Sequence, residues 1–196
     1  MAKTKLVFSR DEMQVLNIET LKSRGVQVED IAKIAWNQQS KYTKDIPFSV
    51  AVYSVMKILT YRDIFHYIQL GAEIDRLAEE KAFKGPIQDI LFYDLGLFGI
   101  DEVLGLEIAG TYGAIGKTNF GDIDVNKPGI VYELNEAGKN VNGEEEKPGA
   151  KVHTMLDDIV GAIAASASTR IAQVMNEELA EEDPTIDKIS IYDILD

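Results

Sequence analysis

The 196-residue chain contains no cysteine, which excludes disulfide bonds, thiolate metal sites and cysteine nucleophiles. Its 33 acidic and 20 basic residues give a net charge of −13, which excludes a nucleic-acid-binding protein and disfavours adhesion to anionic lipid. No apolar run approaches the roughly 18 residues of a membrane span, and the first residues do not form a signal peptide. We therefore expect a soluble, cytoplasmic protein.

Apolar residues recur at helical spacing along most of the chain. Ser9 and Glu12 match a capping box that begins a helix ending near Ser23, with Gly25 as its stop. Further helices are predicted near residues 28–42, 47–60, 62–82, 86–94, 99–112, 130–136 and 155–180. No segment alternates like a strand, so we predict a single all-α domain over 1–196. Its N-terminal helix (1–25) and its C-terminal tail (181–196) are candidate appendages.

Four acids lie on the helix predicted at 62–82: Glu73, Asp75, Glu79 and Glu80. Helical pyrophosphohydrolases bind Mg²⁺ through Glu-x-x-Glu pairs, but the spacing here does not match that pattern. We therefore interpret these acids as a solvent-exposed face of the helix.

The segment 110–129, GTYGAIGKTNFGDIDVNKPG, is rich in glycine and in oxygen-bearing side chains. Four residues have the spacing of calcium ligands in an EF-hand loop: Asp122, Asp124, Asn126 and Glu133. Lys127, however, stands where that loop needs glycine. The oxygen-rich spacing also suits a hard cation such as Mg²⁺. The alternative is a polar surface loop with Asx turns, and the pattern leaves both interpretations open.

Two glycines of this segment, Gly113 and Gly116, precede Lys117 and Asn119. Backbone N–H groups and an ammonium group in that arrangement could cradle a phosphate. The order of a P-loop is absent, because Thr111 stands where the first glycine belongs. Turns and tight packing are the alternative use of these glycines.

The stretch 153–166, HTMLDDIVGAIAAS, begins the last long helix with two adjacent acids. At 100° per residue, Asp157 and Asp158 share one side with small residues, while aliphatic residues face the other side. The side with the two aspartates and the small residues indicates a cleft whose floor is helix backbone, with divalent-metal ligands at its mouth. In the structural alternative, Thr154 and Asp157 form a helix cap and the small residues seat a crossing helix. His153 is a candidate ligand or general acid.

Residues 112–130 and 153–172 resemble the soluble, YutG-like branch of the phosphatidylglycerophosphatase A family. Membrane-bound members carry an Asp-Glu pair followed by Val-Gly at the positions of Asp157, Asp158, Val160 and Gly161. The resemblance implies a compact helical bundle with a central helix surrounded by others. It also implies Mg²⁺-dependent hydrolysis of a phosphate monoester, for the named family the conversion of phosphatidylglycerophosphate to phosphatidylglycerol.

The predicted site combines this resemblance with the acids and the glycine-rich segment. The predicted catalytic groups are those of Asp157, Asp158 and His153. The predicted metal ligands, for Mg²⁺ or alternatively Mn²⁺ or Ca²⁺, are Asp157, Asp158, Asp122 and Asn119. The groups predicted to bind a phosphorylated small molecule or lipid head group are those of Lys117, Asn119 and Lys127.

Two other functions stay open. The first is a non-catalytic regulatory or scaffold oligomer, which the lack of membrane spans and Ile130 in place of the family's threonine favour. The second is a phosphatase that acts on a soluble phosphate or nucleotide. We expect a homo-oligomer, and in the scaffold alternative the tail ISIYDILD, 189–196, supplies the oligomer contact.

Overall fold

The computed structural model describes residues 7–95, 98–138 and 151–182. The helices in these ranges are α1 Arg10–Ser23, α2 Val28–Gln39, α3 Phe48–Ile58, α4 Arg62–Glu79, α5 Ile87–Phe92, α6 Ile100–Gly110, α7 Gly113–Asn126, α8 Ile130–Gly138 and α9 Leu156–Glu182. No strand occurs within the described ranges, so the all-α prediction is confirmed. The tail segment 189–196 lies outside them.

Helix α1 begins and ends where the sequence predicts. The Glu12 N–H donates to Ser9 Oγ at 3.2 Å, and the Ser9 N–H donates to Glu12 Oε2 at 2.9 Å, which completes the capping box. Gly25 follows α1 with φ of +87°, a left-handed conformation that glycine adopts without strain. The predicted N-terminal appendage packs against α4. There the buried amide of Asn17 donates to the Leu59 carbonyl at 2.9 Å.

Helix α9 lies at the centre of the bundle, in contact with α2, α3, α4, α6, α7 and α8. Every residue from Val152 to Thr169 is buried, so both sides of the helix face protein. A methyl group on Gly161 would lie 3.2 Å from Ile123 Cγ2, which shows that this glycine lets α7 approach closely. The predicted central helix is therefore confirmed. The predicted cleft floored by small residues is wrong, because those residues seat a crossing helix.

The glycine-rich segment forms helix α7 rather than a loop, so the EF-hand-like and polar-loop predictions are wrong. A methyl group on Gly116 would lie 2.2 Å from the Ala109 carbonyl oxygen, and one on Gly105 would lie 2.4 Å from Phe120. The glycines thus allow close packing of α6 on α7. Gly113 and Gly116 lie in the first turn of α7, so this part of the segment is the start of a helix and not a loop. The phosphate contacts predicted for Lys117 and Asn119 stay predictions.

Among the residues that the structure describes, no helix is both long enough and apolar enough to cross a membrane.

Candidate active site

The start of α9 is capped by an acid from another helix. Asp75 on α4 is fully buried, and its two carboxylate oxygens accept hydrogen bonds from the N–H groups of Met155 and Leu156, at 3.0 and 3.1 Å. Burial raises the pKa of Asp75 to about 8, although both hydrogen bonds act to lower it. Thr154, the predicted cap, instead donates to the Leu91 carbonyl at 2.7 Å. Asp75 therefore fixes the point at which α9 begins.

A second acid of α4 holds the segment just before α9. Glu79 Oε1 lies 2.6 Å from Arg24 Nη2 and accepts a hydrogen bond from the Val152 N–H at 2.9 Å. Arg24 also donates to the Val152 carbonyl at 2.5 Å. The predicted solvent-exposed face is confirmed for Glu73 and Glu80 but is wrong for Asp75 and Glu79. Asp75, which is buried, and Glu79, which is half-buried, position the residues that precede the candidate site.

His153 belongs to this same network. Its side chain is buried, and its Nδ1 lies 3.4 Å from Arg24 Nη2. Burial, together with the positive charge of Arg24, lowers the pKa of His153 to about 4, so the imidazole is neutral near pH 7. The ring is not part of the cleft lined by the aspartate pair. Its predicted catalytic role therefore stays a prediction, while its contacts are those of a positioning residue.

The aspartate pair lies beside a lysine in a small cleft. Lys127 Nζ lies 2.7 Å from Asp124 Oδ1, 3.3 Å from Asp157 Oδ2 and 3.2 Å from Asp158 Oδ1. The cleft has a volume of about 190 Å³. The side chains that line it are mostly acidic: Asp94, Leu95, Phe98, Gly99, Asp101, Glu102, Asp124, Lys127, Asn135, Asp157 and Asp158. Among these described residues Lys127 is the only cation.

The cleft holds more negative charge than one ammonium group balances. Burial and the neighbouring carboxylate of Asp158 raise the pKa of Asp157 well above its usual range. Burial also raises the pKa of Asp158, to about 7, and raises the pKa of Asp101. Burial acts to lower the pKa of Lys127, but the carboxylates of Asp157 and Asp158 outweigh it and raise that pKa. The carboxyl groups therefore gain from any further cation that enters the cleft.

The structure separates the predicted metal ligands into two groups. A helix turns 100° per residue, so Asp122 and Asp124 lie on opposite sides of α7. Asp122 accepts from Gln38 Nε2 at 3.1 Å and lies 3.8 Å from Lys41 Nζ, at the edge of a second cavity of about 600 Å³. Asn119 donates to Thr169 Oγ1 at 3.0 Å. Neither Asp122 nor Asn119 lines the cleft of the aspartate pair.

Two of the three predicted substrate-binding groups also lie apart from the aspartate pair. Lys117 is exposed on α7, and its side chain covers Gly110. Lys117 and Asn119 are not among the residues that line the cleft, whereas Lys127 is. Of the three, only Lys127 lies beside the aspartate pair, and its predicted contact with phosphate stays a prediction.

Asp124 and Asp101 line the cleft but are absent from the predicted ligand set, and Asp124 entered the sequence-based interpretation only through the EF-hand-like spacing. Asp124 lies three residues before Lys127, the spacing at which helical side chains meet, so recognising α7 as a helix would have paired them. Asp101 opens α6 and is buried, and its Oδ1 accepts a hydrogen bond from the Glu102 N–H at 2.9 Å. Nothing in its local sequence distinguishes it from an ordinary first-turn acid.

The donor set of the cleft fits a hard divalent cation, which takes one or two carboxylates and several waters. Asp157 and Asp158 are buried, and their charges are not fully compensated. Within the described ranges, no three His, Asp or Glu side chains are arranged to hold a metal ion as they stand. The ammonium group of Lys127 lies among the oxygens of the three aspartates that contact it. The residues thus match the chemistry of Mg²⁺ but require a local rearrangement to bind it.

Comparisons with known proteins match this chain to one family over most of its length. The family model of phosphatidylglycerophosphatase A matches residues 45–173. The uncharacterized protein YpjQ of Bacillus subtilis (strain 168) is 40% identical over 179 residues, which cover 90% of this chain and 95% of YpjQ. The uncharacterized protein YutG of the same strain is 43% identical over 152 residues, which cover 78% of this chain and 86% of YutG.

Solved structures show the same fold. The crystal structure of YpjQ from Bacillus subtilis, 40% identical, covers 87% of this chain and 99% of its own length with a TM-score of 0.77. The low temperature requirement C protein from Listeria monocytogenes is 37% identical and has a TM-score of 0.74. That match covers 84% of this chain and 97% of the Listeria protein. The bundle around α9 is therefore shared by these relatives over nearly their whole length.

Proposed function

The chain belongs to the phosphatidylglycerophosphatase A family, and we propose that it is a Mg²⁺-dependent phosphatase that hydrolyses a phosphate monoester. The observation that carries this proposal is the cleft in which Asp124, Asp157 and Asp158 surround Lys127. The aspartates supply oxygen ligands for a hard cation, and the lysine supplies a positive charge for a phosphate.

The roles of the side chains follow from their positions. Asp157 and Asp158 lie in the first turn of a helix whose start is held by Asp75, so the backbone that carries them is fixed in the bundle. Together with Asp124 they would hold Mg²⁺, which when bound activates water and neutralises charge on the phosphoryl oxygens. Lys127 would pair with the substrate phosphate. Serine, threonine, cysteine and histidine are absent from the described cleft lining, so we propose direct attack by water, with an aspartyl-phosphate on one of the cleft aspartates as the alternative.

The substrate class rests on the family. A phosphorylated head group such as that of phosphatidylglycerophosphate is the substrate that the family name implies. A soluble phosphate monoester or a nucleotide presents the same phosphoryl group to the cleft. The assay therefore compares phosphatidylglycerophosphate in mixed micelles with soluble monoesters at equal phosphate concentration.

Phosphate release in the presence and absence of Mg²⁺ tests the proposal. We expect Asp158→Ala to lower kcat/KM about 100-fold or more, because this change removes a buried metal ligand and leaves the other acids in place. The matched control is Glu107→Gln, which removes one negative charge from an exposed residue of α6 outside the cleft. Full Mg²⁺-dependent turnover by Asp158→Ala would exclude this assignment.

One observation favours a non-catalytic scaffold instead, namely that the described acids are not arranged for metal as they stand. A melting curve with and without millimolar Mg²⁺ separates the two functions. A ligand at 100 times its Kd raises stability by about 2.7 kcal/mol, so the phosphatase proposal predicts a clear rise in Tm. A flat response combined with no phosphate release would support the scaffold.

A further inference from the structure

We propose that the Lys127 ammonium group is a built-in competitor of the metal: it fills the metal position in the metal-free protein and leaves it when Mg²⁺ binds. This inference rests on the proposed function, because it concerns the same aspartates. It goes further in assigning Lys127 two alternating contacts, first with the carboxylates and then with the phosphate of the substrate.

The first support is the convergence of three oxygens on one nitrogen atom. Asp124 Oδ1, Asp157 Oδ2 and Asp158 Oδ1 lie between 2.7 and 3.3 Å from Lys127 Nζ. These oxygens come from two helices, α7 and α9. A metal ion bound to the same oxygens at about 2.0–2.1 Å would occupy the place of the nitrogen. Both cations cannot have this position at once.

The second support is the arrangement of the acids themselves. No three acids or histidines within the described ranges are placed to hold a metal ion, although three carboxylates contact a single ammonium group. Carboxylates in contact with an ammonium group stand farther apart than carboxylates bound to Mg²⁺, because N···O distances exceed Mg–O distances. Departure of the ammonium group is therefore the rearrangement that lets the oxygens converge.

The third support is the way the lysine is attached. Lys127 ends α7 in the left-handed region, with φ of 40° and ψ of 60°, and its N–H donates to the Ile123 carbonyl at 2.7 Å. A lysine in this region is uncommon, and the hydrogen bond to Ile123 ties its backbone to the end of α7. The flexible part is the side chain, which is 23% exposed. The ammonium group can thus move to the mouth of the cleft without a change in the helices.

The displaced ammonium group explains why metal and phosphate would bind together. With Mg²⁺ on the aspartates, Lys127 would no longer contact Asp124, Asp157 and Asp158. A phosphate in the cleft gives it a new partner. Since coupling between two binding sites is reciprocal, phosphate would also strengthen Mg²⁺ binding in the wild-type protein.

Calorimetric titration of Mg²⁺ into the full chain tests the competition. We expect Lys127→Met to bind Mg²⁺ about tenfold more tightly than the wild-type protein, because the competing cation is gone. We also expect the metal-free variant to melt at a lower temperature, since the aspartates lose their counter-ion. The matched control, Lys41→Met, removes the same charge beside Asp122 on the other side of α7 and should change the Mg²⁺ affinity less than twofold.

A measurement on the wild-type protein keeps the test valid if Lys127→Met fails to fold. In ¹⁵N-lysine NMR, the ammonium signal of Lys127, assigned with Lys127→Arg, should be protected from exchange without metal and lose that protection at saturating Mg²⁺. An unchanged ammonium signal at saturation, or affinity in Lys127→Met no tighter than in the wild type, overturns the competition alone. Absence of Mg²⁺ binding in every variant overturns the metal centre of the proposed function as well.

Discussion

Two groups of buried or half-buried acids flank the beginning of α9, and their carboxylates have different kinds of partner. On the α4 side, Asp75 accepts two backbone hydrogen bonds and Glu79 pairs with Arg24. On the α7 side, Asp157 and Asp158 share one ammonium group with Asp124. The first group has a dedicated partner for each carboxylate, whereas the second group has three carboxylates for one lysine.

This difference separates acids that build the fold from acids that are available for chemistry. A buried carboxylate with fixed donors stabilises the structure around it, and its removal leaves those donors unsatisfied. Buried carboxylates that repel one another destabilise the native state, and a bound cation relieves that repulsion. The number of dedicated donors for each carboxylate is therefore a better guide to function here than burial alone.

The largest expected effect tests the acids on the α4 side, which we expect to stabilise the fold, and comes from Asp75→Ala. The change leaves the N–H groups of Met155 and Leu156 without acceptors inside the protein, so we expect a loss of about 3 kcal/mol in the free energy of unfolding. Urea denaturation monitored by circular dichroism measures it. Asp75→Asn keeps one carbonyl acceptor and should lose less. Equal stability of wild type and Asp75→Ala would show that the cap does not hold α9.

The pH dependence of stability in metal-free protein tests whether the aspartates on the α7 side repel one another. The folded pKa of Asp158 is about 7, above its ordinary value of 3.8, so the contribution of this group to stability falls as pH rises between these values. We expect Asp158→Asn to be more stable than wild type by about 2 kcal/mol at pH 8 and nearly equal at pH 4.

Denaturation at pH 4, 6 and 8, with EDTA and with Mg²⁺, measures this difference. His153, whose pKa is lowered to about 4, destabilises both proteins equally at low pH and cancels. Mg²⁺ should narrow or reverse the difference at pH 8, because the wild type, with one more carboxylate ligand, gains more from the cation than the variant does. A difference that did not depend on pH would contradict the assignment of charge repulsion to Asp158.

The smallest expected effect distinguishes Asp124 from Asp122, which lie on opposite sides of α7. We expect Asp124→Asn to weaken Mg²⁺ binding about tenfold, which corresponds to about 1.4 kcal/mol, because it removes one of the three carboxylates that contact Lys127. Asp122→Asn, the same change two residues earlier, should alter the affinity less than twofold. Calorimetric titration measures both. The opposite ranking would restore the sequence-based assignment of Asp122 as a ligand.

Most of the fold was predictable from helical spacing and from the end signals at Ser9 and Gly25. The exception is α7, where glycines at 113, 116 and 121 indicated a loop. Glycine weakens an isolated helix, but at Gly116 the close approach of Ala109 requires the absence of a side chain. Tertiary packing therefore overrides local propensity at this position, and no local pattern reveals it.

The candidate site was predictable only in part. Asp157, Asp158 and Lys127 were identified from their pattern and from the family resemblance, and the structure brings them together. Asp122 was chosen over Asp124 because the segment was not recognised as a helix. The burial of Asp75 depends on residues 80 and 81 positions away in the chain, which sequence spacing cannot show.

The cap that Asp75 places on α9 joins two parts of the chain that are distant in sequence. Asp75 and Leu156 are separated by 81 residues, so the loop between them must close before the first turn of α9 is satisfied. The aspartate pair follows that turn directly, and the site thus depends on a contact of long sequence separation, which forms slowly. We expect Mg²⁺ to slow unfolding and to leave the folding rate unchanged, because the ion binds only after Asp75 has contacted the start of α9.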